Sequence, residues 1–146
     1  MRFLVDAMCG RLARYLRMCG YDAAYVLDRG AEDDEAVLAW AAEEGRRVVT
    51  RDAALAARAS DAILLDSTAI EGQLAELRTV GVDLRLTRPE RCGRCNGVLE
   101  RVADDDSTPA YAPDPAADPV WRCVDCGQHF WRGSHWDDVA ARLAVE

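Results

Sequence analysis

Two C-x-x-C units, Cys92 with Cys95 and Cys123 with Cys126, constrain this chain more than any other feature. Two turns that each present a pair of thiolates match a tetrahedral four-thiolate zinc site, and the 27 residues between them make a zinc ribbon with an enlarged insert. Four sulfur ligands leave no position for water or substrate, so this zinc is expected to be structural. Cys9 and Cys19 stand singly in apolar surroundings and read as core filler. Six cysteines used in this way fit a reducing compartment. No stretch reaches the roughly 20 apolar residues of a membrane span. Asp6 interrupts the first apolar run before a signal sequence could form. The expected location is therefore the cytoplasm.

The first 87 residues have a different pattern, alternating strand and helix signals as a parallel sheet flanked by helices does. Strands are expected at Arg2 to Val5, at about 23 to 27, at Arg47 to Thr50 and at Ala62 to Leu65, with a weak fifth at Asp83 to Leu86. Between the first two, Leu12, Tyr15, Leu16 and Cys19 recur at helical spacing and Gly20 stops the helix. A second helix runs from Asp34 to Glu44, and a short alanine-rich one follows Asp52. Thr68 and Glu71 have capping-box spacing ahead of a helix that runs to about Val80. The pattern breaks near Arg88-Pro89, which divides the chain into an α/β domain, 1–87, and a ribbon domain, 88–146. Residues 103–119, rich in proline and acid, read as an exposed, mobile insert. Ser134 and Asp137 are expected to cap a last helix that carries Val139 and Leu143.

The charges narrow the chemistry. All 18 basic residues are arginine, which excludes Schiff-base enzymes and Walker-type phosphate sites, both of which need lysine. It also excludes a phospho-receiver reading of Asp52, and the lack of a G-x-G-x-x-G turn excludes a dinucleotide oxidoreductase. The formal charge of −8 weighs against a nucleic-acid binder, but much of the acidity is concentrated in the insert. In an open parallel sheet, ligands bind beyond the carboxyl ends of the strands. Asp6 closes strand one, Asp34 opens the helix after strand two and Asp52 opens the helix after strand three, so all three share that edge. Asp66, closing strand four, is a fourth candidate. Converging carboxylates are costly without a hard cation, and Mg or Mn prefers oxygen ligands. The set suggests a divalent-metal site acting on phosphates, although taken singly Asp34 and Asp52 also read as helix caps and the strand-end acids as turn residues.

Arginines would hold the phosphodiester. Arg11, Arg14 and Arg17 recur every third residue along the first helix, as an RNA-facing ridge or a solvated face, and Arg51 stands immediately before Asp52. The run from His129 to Trp136 interleaves Phe130, Trp131, Arg132, His135 and Trp136, a mixture suited to stacking on unpaired bases. The rival reading packs Phe130, Trp131 and Trp136 between the ribbon and the main domain.

The segments FLVDAMCGRLARYLRMCGYD, DDEAVLAWAAEEGRRVVTRD, RCGRCNG and WRCVDCGQHFWRGSHWDDV resemble the Mut-seven C-terminal RNase domain family, across nearly the whole chain. The resemblance implies a PIN-like three-layer α/β/α fold with a carboxy-terminal zinc ribbon, metal-dependent ribonuclease activity, and acidic positions at Asp6, Asp34 and Asp52. Cys9 and Cys19 stand where leucine-like residues are expected in the family, and many PIN nucleases add a fourth acid, for which Asp66 is the candidate. The leading expectation is an endoribonuclease with Mg or Mn at the three acids and single-stranded or looped RNA as its partner. The alternative is a non-catalytic RNA-binding or ribosome-associated module of the same fold.

Overall fold

The computed structural model describes residues 1–31 and 33–144. Four parallel strands, β1 (Arg2–Val5), β2 (Asp22–Tyr25), β3 (Arg47–Thr50) and β4 (Ala62–Leu64), form a sheet of order β2-β1-β3-β4. Between and after them run α1 (Gly10–Met18), α2 (Asp34–Glu44), α3 (Ala53–Arg58) and α4 (Ile70–Thr79). Side chains alternate across a strand, and the sheet is apolar on both faces. Phe3, Val5, Ala23, Val49 and Ile63 face α1 and α4 in one cluster. Leu4, Ala24 and Val48 face α2 and α3 in the other. This is the expected three-layer arrangement.

The chain leaves β1 towards β2 and leaves β3 towards β4, in opposite directions, so the crevice between the carboxyl ends of β1 and β3 is the switch point of the sheet.

The second sheet is antiparallel, with β5 (Leu99–Arg101), β6 (Val120–Cys123) and β7 (His129–Trp131) in sequence order. Its small core is Cys92, Leu99, Trp121 and Cys123. The last helix, α5 (Ser134–Leu143), follows the ribbon in sequence but buries Val139 and Leu143 in the core of the first sheet, beside α1 and α4. The chain therefore returns to the α/β layer after building the ribbon.

Several local expectations change. Residues 83–86 form no strand; Val82 and Leu84 are buried as an irregular segment. β2 ends at Tyr25, and Val26–Arg29 coil into a 3-10 turn closed by Gly30 at φ 63°. Thr68 does not cap α4, whose cap is Ala69. Glu76 instead accepts the amides of Asp66 and Ser67, and Gln73 donates to the Ser67 carbonyl, so the helix holds its own entry turn. α5 likewise starts from Gly133 without a side-chain cap, which places Ser134 inside the helix. The insert is fastened to the ribbon. Tyr111 accepts the His129 amide at 3.1 Å and lies against Trp131 with ring centroids 6.1 Å apart. Thr108 donates to the Pro113 carbonyl.

Candidate metal centre and acidic edge

The four cysteine sulfurs all lie within 4.8 Å of one another, with Cys92 Sγ 3.7 Å from Cys126 Sγ and Cys95 Sγ 3.5 Å from Cys123 Sγ. The two turns are built alike. In each, the residue after the second cysteine returns an amide to the carbonyl of the first, Asn96 to Cys92 and Gly127 to Cys123. Both residues are left-handed, at φ 72° and 77°, a conformation that glycine and asparagine adopt most readily. Donor type, number and spacing fit a tetrahedral zinc. Burial pushes the Cys92 and Cys95 thiols up, so metal uptake must displace protons.

The first of these turns is also clamped to the α/β domain. β2 is an edge strand, so the outward N–H and C=O of Ala23, which is fully buried, need partners from outside the sheet. Asn96 Oδ1 accepts the Ala23 amide at 2.9 Å, and Arg17 Nε donates to the Ala23 carbonyl at 2.8 Å. Arg17 also donates to the Gly93 carbonyl at 3.0 Å and pairs with Asp28. Asn96 Nδ2 donates to Asp22 Oδ1 at 2.7 Å, and Arg46 reaches the same oxygen at 2.8 Å. Burial disfavours the Asp22 charge, but the hydrogen bonds from Arg46 and Asn96 outweigh it and hold its pKa at about 2.

This arrangement corrects the arginine ridge. Arg17 is only 4% exposed and its guanidinium is engaged with Ala23, Gly93 and Asp28, so it joins the two sheets and does not face RNA. Arg11 and Arg14 remain exposed on α1.

At the switch point, Asp6 and Asp52 are connected through Thr50. The buried Thr50 hydroxyl donates to Asp6 Oδ2 at 2.6 Å and accepts the Asp52 amide at 2.9 Å. Asp6 Oδ1 accepts the Ala7 amide, and the Asp6 amide is itself held by the Val49 carbonyl. Asp52 caps α3, with the bonds from Ala54 and Leu55 both falling on Oδ1, which leaves Oδ2 turned to other uses. Arg51, between Thr50 and Asp52 in the chain, is half-buried; its Nε is enclosed without a hydrogen-bond partner. Beneath, burial pushes the Cys9 thiol up to about 11, which makes it inert filler. Gly10 begins α1 where the Tyr25 hydroxyl crosses to the Ala7 carbonyl; a Cβ there would lie 2.9 Å from that oxygen.

The other two acids are arranged differently. Asp34 is the first residue of α2, capped by Asp33, and its half-exposed carboxylate lies 3.9 Å from Arg58. Asp66 is exposed beyond β4, two strands from β1. Among the described residues the four cysteines are the one group of His, Cys, Asp or Glu with metal-ligand spacing; Asp6, Asp34 and Asp52 share an edge but do not form a second such group.

The aromatic run divides. Phe130 packs on the ribbon core, and Arg132 lies 5.6 Å over the buried Trp121 ring. Trp131, His135 and Trp136 line a cleft of about 320 Å³ where α1, the ribbon and α5 meet.

A family model described as the Mut7-C RNAse domain matches residues 1–143. The chain belongs to the Mut7-C RNAse domain family. Neither a curated protein nor a solved structure matches it. In this Mut7-C domain, a ribonuclease-like α/β layer and a four-cysteine cluster suited to zinc are thus combined in one chain. Sequence reasoning missed Thr50, Asp22 and Asn96. Thr50 was legible only as the first letter of T-R-D after a strand. Asn96 carried a signal in being the chain's one asparagine, placed directly after a C-x-x-C.

Proposed function

We propose that this Mut7-C domain is a metal-dependent endoribonuclease that works at the carboxyl ends of β1 and β3. The observation that carries the reading is the Asp6–Thr50–Asp52 chain of hydrogen bonds at the switch point of the sheet. One buried hydroxyl ties the Asp6 carboxylate to the backbone amide of Asp52, so the ends of two strands are held together at the rigid kind of support a reacting site needs. Mg²⁺ commonly takes one or two carboxylates and completes its shell with water and substrate phosphate, so Asp6 and Asp52 would suffice as protein ligands, with Asp34 at the start of α2 outside that pair. Such an ion supplies a more acidic bound water and charge to offset the phosphoryl oxygens. Thr50 keeps Asp6 Oδ2 aimed, the α3 amides orient Asp52, and the half-buried Arg51 is the cation next to it for a phosphate oxygen.

The test is cleavage of a circular single-stranded RNA, which only an endonuclease can open, with and without Mg²⁺ or Mn²⁺. Wild type opens the circle in a metal-dependent way, and Asp6→Asn loses about a hundredfold or more of the rate. A second reading, a non-catalytic RNA-binding module, draws on the failure of Asp6, Asp34 and Asp52 to gather as a ligand cluster. RNA that is bound yet never opened at any Mg²⁺ or Mn²⁺ concentration would establish it.

A further inference from the structure

We propose that the cleft at the seam of α1, the ribbon and α5 receives one unpaired nucleotide of single-stranded RNA, with its base against Trp131 and Trp136 and its flanking phosphates on Arg14 and Arg94. RNA as the ligand rests on the ribonuclease reading; the site itself rests on shape and charge. Its volume of about 320 Å³ is at the small end of ligand pockets, room for one nucleotide. Its walls are aromatic and apolar, and its rim is cationic, with Arg14, Arg91 and Arg94 on it. No aspartate or glutamate lines it, in a chain with 26 acids against 18 arginines. That local reversal of sign is complementary to a polyanion.

The cleft also leads somewhere. A second cleft, of about 340 Å³ and again without acidic lining, shares Arg14 and His135 with it and extends along α1 past Arg11 to Gly10. Gly10 follows the short turn Ala7–Cys9 that Asp6 caps. A strand seated in the seam and drawn along α1 therefore arrives at the acidic edge. Arg11 and Arg14 form no ion pair among the described residues, unlike Arg17 beside them, so both are available to phosphates. The backbone is shaped for the Trp131 ring as well: a Cβ on Gly133 would lie 2.6 Å from its Nε1, and Tyr111 supports the ring from the insert. Aromatic walls of this kind stack on splayed bases and reject a closed duplex.

The experiment uses the zinc-loaded full chain carrying Asp6→Asn, so that RNA is held uncut, and follows tryptophan fluorescence and affinity. The probes are an oligouridylate of about ten nucleotides, in the size range of single-strand sites, an abasic chain of equal length, and a polyglutamate peptide. Oligouridylate should quench the fluorescence and bind about tenfold or more tighter than the abasic chain. Trp136→Leu and Trp131→Leu, checked for zinc content and circular dichroism, should each lose most of that preference. Arg14→Ala and Arg94→Ala should each reduce the logarithmic salt slope by about 0.7. Equal binding of the abasic chain, equal binding of polyglutamate, or an unchanged slope in both arginine variants would each overturn the proposal, polyglutamate binding pointing to an acidic protein partner. The two readings fail separately: a wild type that binds oligouridylate in this way but opens no RNA circle loses the nuclease reading and keeps the seam site.

Discussion

Replacing Asn96 by glycine should destabilise the whole chain and not the ribbon alone. Glycine keeps the left-handed conformation at φ 72°, so the substitution removes the amide group without adding backbone strain. Two bonds disappear. The Ala23 amide, buried at an edge strand, loses its acceptor at 2.9 Å, which costs about 1–3 kcal/mol for an unsatisfied donor. Asp22 loses the donor at 2.7 Å but keeps Arg46 and Arg2, so this second loss belongs near the low end of a charged hydrogen bond, about 1.5 kcal/mol. The sum, about 2.5–4.5 kcal/mol, is a large share of the stability of an ordinary domain. At about 2–4 °C per kcal/mol for a chain of this size, the melting temperature should fall by roughly 5–18 °C. The assay is thermal unfolding followed in parallel by far-ultraviolet circular dichroism and by zinc release to a colorimetric chelator. Because Asn96 belongs to the zinc turn and its bonds end on β2, both signals should move together. An Asn96→Gly protein that melts within about 1 kcal/mol of wild type, or that releases zinc early while the α/β sheet melts unchanged, would refute the clamp.

The same clamp extends what zinc removal should do. Elemental analysis should find one tightly bound zinc in the wild type and none in Cys92→Ser or Cys126→Ser, and through Gly93 and Asn96 these variants should lower the melting temperature of the α/β sheet too. Asp52→Asn should remove cleavage but leave stability near wild type, since asparagine caps a helix as well as aspartate; Asp52→Ala should also lose about 1 kcal/mol in a denaturant titration. Acid should loosen the sheet edge. Asp22 is held at about 2 against burial by Arg46 and Asn96, and Glu44 at about 2 by Arg46 and Trp40, both below their unfolded values of about 4. The stability these depressed carboxylates lend is present above about pH 4 and is lost as the pH falls towards 2. Asp22→Asn should flatten that part of the melting-temperature profile, and an unflattened profile would show that Asp22 plays no part in it.

Much of this architecture is local information. The alternation of short apolar runs with helix-period stripes determines a parallel sheet covered on both faces, because a strand apolar on every residue can be buried only between two layers. The C-x-x-C spacing determines the four-sulfur cluster, since a turn of that length brings two thiolates to one point whatever surrounds it. Asp6 and Asp52 could be placed at one sheet edge because strand ends in a parallel sheet all face the same way. Tertiary structure decided what local pattern leaves open. Arg17 has the same spacing as Arg11 and Arg14, yet it alone lies where α1 meets both the edge of β2 and the zinc turn, and burial there converts a surface cation into a joint. The fifth strand fails because, among the described residues, no neighbouring strand takes up its hydrogen bonds, although Leu84 is buried and Leu86 partly so. α5 leaves the ribbon for the first core because Val139 and Leu143 complete a cluster that α1 and α4 leave open. In each case the deciding partner is distant in sequence, and no pattern within a single segment carries its position.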